Sequence, residues 1–176
     1  MPGYGVLPAD QGSRLLPWAE AERRLTASHD YWVATVRPDG RPHVMPVWGV
    51  WEGGRLWFSS GRRSRKARDI EAEPRCTVTT DDARNPVVVD GEATRVTASG
   101  EIARFVAAMN GKYQAGMTTD FQDPEVNGTY AVAPERVIAI SDGDFTGSPT
   151  RWRFPPAEAR PGETAHIGDA GAADPH

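Results

Sequence analysis

Apolar positions along the chain change period in an orderly way, and each change marks an element. Trp18, Ala21 and Leu25 recur at helical spacing behind Pro17, with Glu20, Arg23 and Arg24 off that face, which predicts a short amphipathic helix over Trp18–Ala27. From Tyr31 the period drops to two. Tyr31–Val36 is rich in β-formers, Pro38-Asp39-Gly40 supplies a turn, and Pro42–Trp51 alternates large apolar residues, so these stretches form a hairpin. Glu52-Gly53-Gly54 turns the chain again into a third strand, Arg55–Ser60.

Beyond Gly61 the pattern alternates between helix and strand. Arg62–Glu73 has no β-branched residue except Ile70 and stops at Pro74, which predicts a helix with a thin apolar face. Strands follow at Arg75–Thr80 and within Pro86–Ala98. Ser99–Tyr113 then spaces Ile102, Phe105, Val106 and Met109 for one buried helical stripe. A loop containing Gly116, Asp120, Asp123 and Pro124 leads to strands at Thr129–Val132, Arg136–Ile140 and Arg151–Phe154. Six to eight strands and three helices, without βαβ alternation, predict a mainly β fold: an antiparallel barrel with flanking helices. Residues 1–17 and 155–176 carry little large apolar surface and read as flexible segments around a single domain, 18–154.

Composition narrows the classes. A chain of 176 residues with 39% hydrophobic residues suits one globular domain. Its 20 basic and 24 acidic side chains leave a net charge of -4, which argues against nucleic acid or a membrane surface as partner. No run approaches the roughly 18 apolar residues of a membrane span. Cys76 is the only cysteine and forms no internal disulfide, so a cytoplasmic protein is expected. The four histidines are scattered, no Cys/His pair has ligand spacing, and no metal site is expected. Phosphate loops of the G-x-G-x-x-G and G-x-x-x-x-G-K-[ST] types and a G-x-S-x-G elbow are all missing.

The densest chemical signal is Ser59 to Arg68, where five of the seven residues from Arg62 to Arg68 are basic. The cluster falls at a strand-to-helix junction. Unsatisfied N–H groups of a helix start, hydroxyls of Ser60 and Ser64, and the charges of Arg65 and Lys66 together suit a phosphate. The competing reading is a solvated helix face whose arginines pair with Asp69, Glu71 and Glu73; a nucleic-acid patch is a further one. Trp48, Trp51 and Trp57 lie on paired strands, as packing residues or as a stacking surface, and His43 precedes them.

The order Gly40-Arg41-Pro42, Gly53-Gly54, Leu56-Trp57-Phe58-Ser59-Ser60, Ser64-Arg65-Lys66-Ala67 and Pro74-Arg75-Cys76 resembles the pyridoxamine 5'-phosphate oxidase-like split β-barrels, in particular their flavin/deazaflavin oxidoreductase branch. The likeness is good over 31–81 and looser to Phe154. It implies a homodimer that binds FMN or the deazaflavin F420 between subunits and passes a hydride to or from a small planar organic molecule, without a dedicated catalytic side chain. Ser60, Ser64, Arg65 and Lys66 would hold the cofactor phosphate, with Arg62 beside them, while His43, Met45 and Val47 line the ring through backbone groups. Arg151 matches a late arginine that approaches the ring, and Trp48 and Trp152 would shape the substrate pocket. Arg62, Arg63 and Arg68 would suit the longer acidic tail of F420. The chain departs from the true oxidases in three places: Met45–Val50 replaces their R-x-V-L-L-K strand, Ile140 a tryptophan, and of R-L-H-D-R only Arg151 remains. Pyridoxamine phosphate oxidation is therefore not expected. A non-catalytic module that carries flavin, F420 or haem is the alternative.

Overall fold

In a computed structural model of the chain, which describes Gly5, Leu7, Pro8 and residues 11–155, three helices surround an antiparallel barrel. The helices are α1 (Trp18–Ala27), α2 (Arg65–Ala72) and α3 (Ser99–Tyr113). The strands are β1 (Asp30–Val36), β2 (Pro42–Glu52), β3 (Arg55–Gly61), β4 (Arg75–Thr80), β5 (Val87–Val96), β6 (Asn127–Ala139) and β7 (Thr150–Arg153). Their order is β3-β2-β1-β4-β5-β6-β7, and β3 also pairs with β6, so six strands close into a ring with β7 outside it.

The barrel is split. β2 pairs with β3 only over Gly49–Glu52 and Arg55–Phe58, leaving the Pro42–Trp48 half of β2 joined to β1 alone. Beyond Phe58, β3 continues against β6 as far as Gly61. A seam therefore opens between β2 and β3, and α2, which follows β3 directly, packs across it against β1 and β3.

Two apolar clusters hold these parts. One fills the barrel around Tyr31, Leu56, Phe58, Val78, Val89 and Tyr130. The other puts Ile102, Phe105, Val106 and Met109 of α3 on Val50, Val96 and Ala131 outside the ring, and burying one such side chain contributes about 1.5–3 kcal/mol.

Three boundaries differ from the sequence expectation. α2 starts at Arg65 because the Ser64 hydroxyl accepts the Ala67 N–H at 3.1 Å and so caps the helix there. β6 is one strand of 13 residues, where Pro134 predicts a break. The register shifts beside Pro134, so that Gly91 faces Pro134 while Asp90 faces Arg136, and the bulge removes the demand for a proline N–H. A Cβ on Gly91 would stand 2.0 Å from the Ala133 carbonyl oxygen, which is why glycine occupies this site. β7 begins at Thr150 and ends at Arg153, with the Phe154 N–H continuing to the Glu135 carbonyl at 2.9 Å. Ahead of α1, Leu16 N–H donates to the Thr150 hydroxyl at 2.8 Å and Arg14 N–H to the Gly147 carbonyl at 3.2 Å. The proposed tail from 156 onward lies outside the described residues.

Candidate functional site

The seam opens on a cavity of about 530 Å³. Pro46, Val47 and Trp48, in the half of β2 joined to β1 alone, form one wall, with Ser59 of β3 and Lys66 of α2 opposite. Met109 of α3, residues 115–118 and Phe121 complete it. The lining is mainly apolar, with Ser59 and Lys66 at one end and Thr118 as its other polar side chain.

Of the sequence cluster only Lys66 and Ser59 line the cavity; Ser60, Arg62, Ser64 and Arg65 form no part of the lining. Ser60 and Ser64 lie with their hydroxyl oxygens 2.9 Å apart, at the end of β3 and the N-cap of α2. Lys66 is 7% exposed, and its ammonium makes no hydrogen bond or ion pair with any described residue. Its nearest described aromatic group is the Phe58 ring, 5.7 Å from Nζ to the centroid. Burial without a counter-charge pulls its pKa down to about 8. A largely buried cation in the first turn of a helix, with no counter-charge among the described residues, is an arrangement completed by an anion.

The arginines divide. Arg62 bridges Glu71 at 3.6 Å and Glu125 at 3.5 Å, so its charge is used between α2 and the approach to β6. Arg63, Arg65 and Arg68 are exposed and form no ion pair with a described residue. Of the carboxylates offered as their partners, Glu73 pairs with Arg75 at 2.7 Å and Asp69 is fully buried. Asp69 accepts the Thr35 hydroxyl at 3.1 Å and stands 3.8 Å from His43 Nδ1, across the seam from β2. His43 is thereby directed to α2 rather than to the cavity.

Val47 and Trp48 line the cavity as expected of a ligand wall, whereas Met45 is half exposed beside it. Arg151 and Trp152 are not brought to it. Arg151 is exposed on β7 opposite Ile138, and Trp152 packs edge-on against Trp18 at 5.4 Å, because alternation along β7 turns it to the α1 side. The sequence reading missed Asp69, Met109, Met117, Phe121 and Tyr113. Asp69 was the most accessible of these: Lys66 and Asp69 flank Ala67 and Ile70 at helical spacing, so the buried face of α2 includes two charges.

A family model described as pyridoxamine 5'-phosphate oxidase matches residues 18–140. The chain belongs to that family. The solved structures it resembles share the split barrel of the pyridoxamine 5'-phosphate oxidase family and carry different functions. A conserved hypothetical protein from Mycobacterium tuberculosis has 21% identity over 74% of this chain and 86% of that one, with a TM-score of 0.64. An F420 reductase has 27% identity over 66% and 94%, with a TM-score of 0.55. The heme storage protein from Vibrio cholerae has 22% identity over 69% and 91%, with a TM-score of 0.56. No curated protein sequence matches the chain. A reductase and a storage protein on one barrel show that the site, not the fold, carries the chemistry.

Proposed function

We propose that this family member is an oxidoreductase that binds F420 or FMN in the seam cavity and moves a hydride between it and a small planar organic substrate. The observation that carries the reading is Lys66, a largely buried side chain that lines a cavity of cofactor size and whose ammonium has no partner among the described residues. When bound, the ring system supplies the hydride chemistry. The chain binds, orients and shields it. Ser60, Ser64 and Lys66 hold the phosphate, with Arg65 adding charge from the exposed side of the same helix turn. The free edge of β2 up to Val47 offers backbone groups to the ring, and the apolar lining excludes water from it. Neither His43 nor any other side chain is required as an acid or base.

F420 is favoured over FMN by two features. The F420 reductase is similar at 27% identity. Arg63, Arg65 and Arg68 are exposed without ion pairs beside the phosphate end, where the acidic tail of F420 would leave the cavity.

A homodimer completes the site in this reading. Trp32, Ala34 and Val36 of β1 share the outward sheet face with Val44, Pro46 and Trp48 of β2 through cross-strand pairing. Trp32 and Val44 are exposed there, while Pro46 and Trp48 also border the cavity. A second copy seated on this strip would cover both the apolar surface and the mouth. Arg151 lines no part of the cavity of its own chain, so its approach to a ring would be to that of the other copy.

Lys66→Ala and Ser64→Ala test the phosphate site. Losing the charge-assisted contact of Lys66 is expected to cost about 1.5–3 kcal/mol of cofactor affinity, read by fluorescence titration. Unchanged affinity in both variants places the phosphate elsewhere.

A further inference from the structure

Trp48 has a backing that the phosphate site does not explain. Its indole lies parallel to the Tyr113 ring, with centroids 4.7 Å apart and planes at 4°, and the His29 imidazole stands edge-on to both. Tyr113 ends α3, and its hydroxyl accepts the Gly49 N–H at 3.0 Å while donating to the His29 carbonyl. Lys112 Nζ donates to the Gly49 carbonyl at 2.9 Å and to the Tyr31 hydroxyl at 3.0 Å. Both backbone polar groups of Gly49, the residue after Trp48, are thus held by the last turn of one helix. Gly49 itself has no room for a side chain, since a Cβ there would meet the Trp57 carbonyl oxygen at 2.8 Å. The result is an indole fixed at its backbone and on one face, yet 49% exposed and on the cavity wall.

The opposite wall is fixed as well. Asn110 exchanges two hydrogen bonds with the backbone of Met117, at 2.8 and 2.7 Å, and this sets Met117 beside Met109 and Phe121 in the lining. Thioethers and a phenyl ring facing a rigid indole suit a flat aromatic guest. A cationic guest would meet no counter-charge there, since Lys66 is the only charged side chain in the lining, and an anionic one would be drawn to Lys66 instead of to the indole.

We propose that the Trp48 end of the cavity is a subsite for an uncharged, flat aromatic ring, stacked on the indole face that Tyr113 leaves free, with Tyr113 as its positioning residue. This names the substrate class within the function proposed above and rests on the cavity being a ligand site. The test uses 2-naphthol, which is flat, uncharged and fluorescent, titrated into the wild-type protein and into Tyr113→Leu, Tyr113→Phe and Trp48→Ala. Wild type binds it; Tyr113→Leu and Trp48→Ala weaken binding at least about tenfold. Tyr113→Phe, which keeps the stacked ring, stays within about threefold. Unfolding midpoints and affinities for F420 and FMN are measured on the same samples. A naphthol loss in Tyr113→Leu with an unchanged midpoint supports positioning, whereas a parallel fall in midpoint and in all affinities makes Tyr113 merely structural. Because Trp48 is half exposed, its truncation is tolerated by the fold and keeps the test open if Tyr113→Leu does not fold. Absence of naphthol binding to wild type overturns the subsite, as does equal binding to all variants. Equally tight binding of 2-naphthalenesulfonate in a Lys66→Gln background overturns its preference for uncharged rings. Naphthol binding with neither cofactor bound would remove the oxidoreductase reading and leave the subsite standing.

Discussion

Lys66 and Asp69 show how one helix turn carries both a site and its support. Each is buried on α2, yet Asp69 is met by Thr35 while Lys66 meets no counter-charge. The consequence is a pH dependence with a definite sign. An anion bound at Lys66 favours its charged form, and that form is lost from the free protein as the pH rises through about 8 rather than its ordinary 10.5. Affinity for a phosphate-bearing cofactor is therefore expected to be level below pH 8 and to fall above it. A titration series from pH 6.5 to about 9.5 checks this, and the slope should vanish in Lys66→Gln. The cluster at the β3–α2 junction was legible because hydroxyls and cations gather at a period change, but not that Lys66 alone of its cations lines the cavity. Trp48 was legible as an aromatic on a strand, but not its backing: Tyr113 lies 64 residues from the Gly49 peptide it grips, and no local pattern reports such a contact. Arg151 and Trp152 illustrate the converse, since the family resemblance suggested a place at the ligand and strand alternation turned Trp152 toward Trp18.

Among the elements, the strands with uninterrupted alternation were the most legible. β4 and β5 run from Arg75 to Thr80 and from Val87 to Val96, within the stretches the sequence predicts, because alternation and flanking turns agree there. β6 was not, since a proline is a local veto that a bulge can lift. That bulge makes a stability prediction. Gly91→Ala drives a methyl against the Ala133 carbonyl, where backbone rather than a flexible side chain must move, and should cost about 1–3 kcal/mol in chemical denaturation. An unaltered midpoint would mean that the two strands separate without penalty. The start of α2 was placed three residues early because Arg62 and Arg63 are compatible with a helix, whereas the cap at Ser64 decides it. This displacement matters chemically, as it puts the N-terminal N–H groups beside Ser60.

For the whole molecule, the barrel and the family follow from one consistent pattern, while the closure of the barrel through β3 and β6 and the assembly do not. The described residues include no helix long and apolar enough to cross a membrane. The outward strip around Trp32 and Val44 is expected to be covered by a second copy, so sedimentation should report a dimer and Trp32→Glu should shift it to monomer, with weaker cofactor binding in parallel. A wild-type monomer at micromolar concentration would remove the shared site. The central claim, that the seam cavity holds a flavin-type cofactor by its phosphate, is met most directly by titrating the purified, ligand-stripped protein with F420, FMN and hemin side by side. The account predicts saturable binding of F420, or of FMN, that is weakened by Lys66→Ala. Binding of hemin alone would make the chain a carrier rather than an oxidoreductase, and binding of none of the three would contradict the cofactor site itself.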